Sequence, residues 1–435
     1  MPEIRRYAIV GTGGRYAMYL RAIQRDYSNC AQLAGLCDIN PHRLTVASEF
    51  AAKLGGNSPP TYGADEFERM IEETRPDIVI VTSVDRTHDQ YIVRAMQLGC
   101  DVISEKPMTV TAEKCQAILD TIKATGRNLC VTFNYRYAPR NSQVKALLQQ
   151  RIVGEIKSVH FEWLLDTRHG ADYFRRWHRD KRNSGGLLVH KATHHFDLVN
   201  WWLESYPRTV FAMGELVFYG RANAESRGIT KFYSRGTGDP NATGDPFALD
   251  LKRDKLLKRI YYDAEFADGY RRDQSVFSDG ISIEDDMAVM VRYENGATMT
   301  YHLTAYSPWE GYRVAFNGDK GRLEYEVHEN SYISGAEDDA NRAGRGRPEI
   351  HEPVKILVRP HWGKPYEVPL ERADEAGHGG GDARLLQDVF MPGDDDPLGR
   401  AAGHLDGARS ILTGIAANKS METGLPVDVR GLVEF

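Results

Sequence analysis

Apolar and polar positions fall into two rhythms along the first 133 residues. Short apolar runs recur at Arg6–Val10 (RYAIV), in QLAGLCD ending at Asp38, at Pro76–Thr82 (PDIVIVT), at 101–104 and at Leu129–Phe133. Helical spacing fills the gaps, with Met18, Leu20 and Ile23 on one side of the first helix and further helices at Ala64–Glu73, 88–98 and 111–125. Near-continuous runs such as DIVIV suit strands buried on both faces of a parallel sheet whose connections are helices, and the whole completes six strand units. Farther on the rhythm changes. From Asp285 to Leu303 apolar residues alternate with polar ones around Glu294-Asn295-Gly296, a strong hairpin signal, and Val314–Phe316 and Leu323–Val327 continue that sheet. Residues 330–350 read as a mobile excursion; a helix opens at His378–Asp382, and helix 401–418 and strand Leu425–Val429 close the pattern.

The stretch Ser184–Trp202, SGGLLVHKATHHFDLVNWW, reads as one helix with a divided surface. At about 100° per residue His190, His194, Asp197 and Trp201 share a narrow stripe with Lys191 beside it, while Leu188, Val189, Phe196, Val199 and Leu203 face the other way. Imidazole, ammonium and carboxylate are the groups that move protons near neutral pH, so the stripe points to proton transfer or substrate binding. A zinc pair or a set of structural histidines is the alternative.

Composition narrows the field. With 435 residues, 41% of them hydrophobic, the chain can build two domains with sizeable cores. A net charge of -6 and a pI near 6.2 argue against a nucleic-acid groove. The basic run Arg175, Arg176, Arg179, Lys181 and Arg182 lies just ahead of the histidine stretch and points at a site instead. The cysteines (Cys30, Cys37, Cys100, Cys115, Cys130) are odd in number and lack CxxC spacing, which fits reduced thiols in a cytoplasmic protein. The N-terminus has no leader-peptide anatomy, and no apolar run approaches the ~18 residues a membrane span requires.

The first strand runs into Gly11-Thr12-Gly13-Gly14-Arg15 and then a helix, the layout of a pyrophosphate cradle. Gly11 permits the tight turn and Gly13 lets the backbone approach the phosphates; Tyr16 stands where a third glycine is usual. Asp38, ending the second strand, is placed to accept from a ribose 2′-hydroxyl and repel a 2′-phosphate, favouring NAD over NADP. Capping of the helix at Pro41 is its other possible role, and Arg43 nearby could offset a phosphate. Thr82, Ser83, Asp85 and His88 follow the next apolar strand at its carboxyl end, where ligands of open α/β sheets gather, and Glu105-Lys106-Pro107 ends the one after.

Taken together these motifs resemble the Gfo/Idh/MocA oxidoreductase family, relatives of glucose–fructose oxidoreductase and inositol dehydrogenase. The resemblance rests on GTGGR at 11–15, Asp38, Thr82 with His88, EKP at 105–107, Asn134 with Arg136, GEI at 154–156, GGLLVHKATHHFD at 185–197, GDKGRLE at 318–324, HGGGD at 378–382 and SMETGLPVDV at 420–429. It covers nearly the whole chain. It implies an α/β protein with an N-terminal Rossmann domain, residues 1–133, and a C-terminal α/β domain, residues 134–435, built on a large, mostly antiparallel sheet. It also implies a homo-oligomer, dimer or tetramer, formed through that sheet, and a cis Lys106–Pro107 bond aiming the lysine into the cleft. NAD contacts are expected from Gly11, Thr12, Gly13, Gly14, Arg15, Asp38, Thr82, Ser83, His88, Glu105, Lys106 and Asn134. Lys106 matches the lysine of the EKP motif and His194 the histidine of the second-domain motif. His190 stands where many relatives carry aspartate, and Lys191 is not a general family feature.

Residues 218–282 form an insertion that a compact relative would lack, readable as a lid, a substrate-recognition arm, an oligomer contact or a surface loop. Within it Asp239–Asp250 partly imitates a calcium loop, but Asp250 replaces the bidentate glutamate and prolines interrupt it, so no metal is expected. The activity expected is NAD-dependent oxidation or reduction of a secondary alcohol in a sugar, glycoside or cyclitol. His194 is the expected acid–base group, Lys106 steadies the reacting oxygen, and His190 and Lys191 extend the proton relay. Trp177 would stack on a sugar, with Arg136, Arg175, Arg176, His178, Arg179 and His195 as further substrate contacts. NAD-dependent hydrolysis of a glycoside, by transient oxidation, elimination, hydration and re-reduction, is the second reading. A cofactor-sensing protein without chemistry is the third. Neither nucleic acid nor membrane is expected as a partner.

Overall fold

The N-terminal apolar runs become strands β1 (Arg5–Val10), β2 (Ala31–Asp38), β4 (Ile78–Val81), β5 (Asp101–Ser104) and β6 (Leu129–Val131), and a further strand, β3 (Thr61–Gly63), forms in the polar segment after the second. In this computed structural model, which describes residues 4–55, 58–333, 354–371, 377–393 and 395–435, they pair in parallel in the order β3-β2-β1-β4-β5-β6. Alternate residues of β1 enter different cores: Ala8 and Val10 join one apolar cluster, Tyr7 and Ile9 the other. Burial on both faces is why these strands read as continuous apolar runs. The order reverses between β1 and β4, which opens a crevice at their carboxyl ends. Gly11 sits there with φ +89°, and a Cβ on it would lie 2.6 Å from the Ser83 nitrogen, so no other residue fits.

Among the described residues of the second domain, nine strands form one sheet. They are β7 (Ile156–Asp166), β8 (Pro207–Glu215), β9 (Asp286–Tyr293), β10 (Thr298–Ser307), β11 (Glu310–Gly318), β12 (Gly321–Asn330), β13 (Lys355–Pro360), β14 (Tyr366–Glu367) and β15 (Val427–Asp428). Their order is β14-β13-β12-β11-β7-β10-β9-β8-β15, antiparallel except for β7 beside β10. The β9–β10 hairpin turns at Gly296, φ +87°, as its sequence demands. Along β9 Met287, Val289, Val291 and Tyr293 are buried while the residues between them are not, the alternation expected of a sheet with one covered face.

The histidine stretch departs from the single predicted helix. It forms a turn of helix at Leu187–His190, breaks at Lys191-Ala192, and restarts as helix Thr193–Leu203. Helix His404–Thr423 packs closely here: a Cβ on Gly414 would collide with the Leu188 carbonyl oxygen, and Ser410 Oγ donates to the Thr193 carbonyl at 2.6 Å. The Lys106–Pro107 bond is cis, as the resemblance implied. Residues 334–350 of the predicted excursion lie outside the described residues. Among the described residues no helix is long and apolar enough to cross a membrane.

Candidate active site

A cavity of about 750 Å³ occupies the crevice at the carboxyl ends of the parallel strands. Gly11, Gly13, Gly14, Arg15, Asp38, Thr82, Ser83, His88, Glu105, Lys106 and Asn134 all line it, so the predicted cofactor set converges with one exception. Thr12 is buried beneath the loop, where its N–H and hydroxyl donate to Asp38 at 2.5 and 3.0 Å and hold that carboxylate in place. Nothing approaches within 4 Å of a Cβ built on Gly13, so a side chain there would fill the open space against the cradle. That space beside the loop N–H groups, with a carboxylate at the end of β2, fits NAD. Arg15 closes the far side of the loop: it pairs with Glu105 at 2.6 Å and Asp382 at 3.2 Å, and Asp382 also accepts from Asn134 at 2.6 Å. Burial works to raise the Glu105 carboxyl, but the Arg15 guanidinium and Tyr19 hydroxyl outweigh it and hold the group below its ordinary value. His88 has Nδ1 2.8 Å from the Pro107 carbonyl oxygen and Nε2 3.2 Å from that of Ser83; burial lowers its pKa, and the neutral ring donates to one of the two.

Where the domains meet, charge concentrates. Lys106 Nζ donates to the His190 carbonyl at 3.1 Å and lies 3.5 Å from His190 Nε2. On the other side of that imidazole, Nδ1 is 2.5 Å from Asp85 Oδ2. Burial pushes the Asp85 carboxyl well above its ordinary value, and Lys106 and Arg176 pull the other way. The hydrogen-bond pattern that satisfies all three groups has Asp85 ionised, His190 neutral with its Nδ1–H on the carboxylate, and Nε2 accepting from Lys106. Burial drives this choice for the imidazole, pushing His190 well below its ordinary value, with Lys106 and His178 adding to the effect. Burial also brings Lys106 down to about 8, against the pull of Asp85 and Glu105. Asp85 was visible in the sequence only as one polar residue at a strand end. Its pairing across the domain boundary follows from the fold alone.

His194, on the first turn of its helix, stacks on Tyr135 with ring centroids 4.4 Å apart. It lines the large cavity and also a second one, of about 340 Å³, and Lys106 does the same. Lys191 belongs to the second cavity, where its ammonium lies 4.6 Å over the Trp163 ring and donates to Tyr135 at 3.3 Å. His169, Tyr173, Arg140, Glu310 and Glu329 complete that polar wall. His169 Nδ1 is 2.8 Å from Glu310 Oε1. Burial works against a charged imidazole there, yet Glu310 outweighs it and raises His169. None of these residues carries a sequence signal; they reach the cavity from β11, β12 and the helices flanking β7.

Several expected substrate contacts lie elsewhere. Arg136 is buried in a two-pronged ion pair with Asp197, at 2.6 and 2.8 Å, and also meets Asp406 at 2.9 Å, so both stripe residue and arginine are spent on joining helices. Arg179 is buried against Ser275, Ser278 and Asp279, and anchors the end of the 218–282 segment. Arg175 likewise donates to the Phe247 carbonyl. His195 lies under the site, stacked on Trp163 at 4.0 Å with Nδ1 2.7 Å from the Tyr301 hydroxyl. Arg176, Trp177 and His178 do reach the site, but they line the large cavity rather than the second one.

Family models match both halves of this architecture: the NAD-binding Rossmann fold of an oxidoreductase family over residues 5–133, and its C-terminal alpha/beta domain over residues 145–429. The chain belongs to the Gfo/Idh/MocA oxidoreductase family. It is 34% identical over 432 residues to YteT of Bacillus subtilis, described as an oxidoreductase, with 97% of this chain and 96% of that one aligned. It is 31% identical over 192 residues to the D-glucoside 3-dehydrogenase of Escherichia coli, covering 44% of this chain and 52% of that one. It is 25% identical over 194 residues to glycosyl hydrolase family 109 protein 1 of Akkermansia muciniphila, covering 42% and 40%. As a member of this family the protein is an NAD-binding oxidoreductase.

Proposed function

We propose that the protein oxidises or reduces a secondary alcohol of a sugar, glycoside or cyclitol, bound in the second cavity with the reacting carbinol at the wall shared with the first. The observation that carries this reading is that Lys106 and His194, two of the four expected catalytic groups, line both cavities at once. When bound, NAD supplies the hydride acceptor or donor. The chain's own groups handle the oxygen. His194 takes the hydroxyl proton during oxidation and returns it during reduction, while the Lys106 ammonium stabilises the negative charge that develops on that oxygen. His190, held by Asp85, fixes where Lys106 stands. Lys191, Glu310 and Glu329 offer a donor and acceptors to neighbouring hydroxyls, the mixture a polyol requires and an apolar alcohol does not.

Titrating a panel of sugars, glycosides and cyclitols against the protein, with two readouts, tests this. Steady reduction of added NAD supports the dehydrogenase. Aglycone release with catalytic NAD and no net reduction would instead mark the glycosidase. Glu310→Gln is expected to raise the KM of the best substrate about tenfold, or ~1.4 kcal/mol, with a smaller effect on kcat, because it weakens ground-state contacts. An unchanged KM in steady-state kinetics would remove the second cavity from the reading.

A further inference from the structure

Part of the insertion reaches the dinucleotide cavity at the end away from Lys106. Helix Lys255–Ile260 and the turn that follows pack on helix Pro41–Lys53, which descends from β2 and Asp38. Leu249, Leu251, Ile260 and Tyr261 enclose Val46 in a small apolar cluster. Asn40, which caps that helix by accepting from the His42 and Arg43 N–H groups, uses its side-chain amide to donate to the Ala264 carbonyl at 2.9 Å. These contacts deliver Asp268 to the cavity wall beside Asp38 and Arg43.

There Arg43 Nη2 lies 2.6 Å from Asp268 Oδ2 and 3.3 Å from Asp38 Oδ1. The pair is not a surface contact, since the side chains of Arg43 and Asp268 are only 10% and 11% exposed. Asp268 is itself held, its other oxygen accepting from the Tyr270 N–H at 3.0 Å. An acidic residue at the end of the second strand reads the ribose 2′-hydroxyl in dinucleotide folds, and a nearby arginine is what accommodates a 2′-phosphate. This chain has both. Its arginine, however, is shared between two carboxylates and faces the cavity with no charge to spare.

We propose that Asp268 is a cofactor-specificity residue: it holds Arg43 against Asp38 and adds a second carboxylate to the ribose end of the cavity, so that the protein selects NAD and rejects the 2′-phosphate of NADP. The selection lies in the insertion rather than in the Rossmann domain alone. Without Asp268 the three-residue group would go from a net negative charge to neutral, and Arg43 would be released to meet a phosphate.

The test uses the full chain stripped of cofactor and titrated with NAD and with NADP by fluorescence. Asp268→Asn, which keeps the shape of the side chain, is expected to shift the ratio of the two dissociation constants toward NADP by at least fivefold. A smaller shift overturns the proposal. In an Arg43→Ala background the same substitution is expected to shift the ratio by less than half as many fold as in the parent chain, because the lost repulsion remains but no guanidinium is released. A shift there as large as in the parent chain would also overturn it. Asp268→Ser serves where the asparagine variant is unstable. Both cofactors are titrated against the same folded protein, so loss of folded fraction cancels from the ratio.

Discussion

Lys106→Ala is expected to lower kcat/KM by about 10²-fold or more, since the ammonium acts on charge that exists only as the carbinol oxygen gives up its proton. The pH dependence gives the sharper test. Burial brings the Lys106 pKa down to about 8. Its charged form is therefore present below about pH 8 and is lost as pH rises through that value. If the ammonium is the working form, kcat/KM for alcohol oxidation falls on the alkaline side of about pH 8. Lys106→Arg retains some activity and loses that limb, because a guanidinium stays charged across the accessible range. A profile that instead rises through pH 8 and flattens would make the neutral amine the base. Lys106 and His194 would then exchange roles.

The Rossmann half of the chain was nearly all legible, and the reason is local. Its strands are buried on both faces, so each is a run of apolar residues, and Gly11 is called for locally by the positive φ of its turn, although the backbone of Thr82 and Ser83 that also excludes a side chain there comes from another strand end. The strand missed was β3, whose three residues lie in a polar segment and gain their place only by pairing with β2. The histidine stretch was legible in residue type but not in shape. Its periodicity suits one helix, but the stretch breaks at Lys191-Ala192, between the two places where helix His404–Thr423 packs on it from far along the chain. Charged residues were the hardest to place. Arg136, Arg175 and Arg179 look like substrate contacts in sequence, yet each finds a buried carboxylate or carbonyl partner that only tertiary structure supplies. Conversely Glu310 and His169 lie far apart in sequence and meet only because β11 pairs with β7. A sequence pattern shows which face an element buries; it does not show which opposite charge waits there.

Asp85→Asn is expected to lower kcat/KM by about fiftyfold, although Asp85 acts through His190 and Lys106, in the manner of a group that orients a catalytic neighbour. Its carboxylate fixes the His190 tautomer through the 2.5 Å Nδ1 contact and, being an anion near Lys106, works to keep the lysine protonated. Removing the charge therefore lowers the Lys106 pKa further, and the alkaline limb of kcat/KM should move below pH 8. His190→Asp acts in the opposite sense. It sets a second carboxylate beside Asp85, so the two share a proton and titrate as a pair, while Lys106 gains a nearer anion and its limb moves to higher pH. The two changes combined, Asp85→Asn with His190→Asp, leave one carboxylate next to Lys106, now from the second domain. Because a carboxylate again faces the ammonium, that double variant is expected to recover at least a third of the activity lost in Asp85→Asn, measured as log kcat/KM, and to bring the limb back toward pH 8. A merely structural role for Asp85 would leave the limb where it was in Asp85→Asn. It would also make the double variant worse than either single one, and either result would break the link between Asp85, His190 and Lys106.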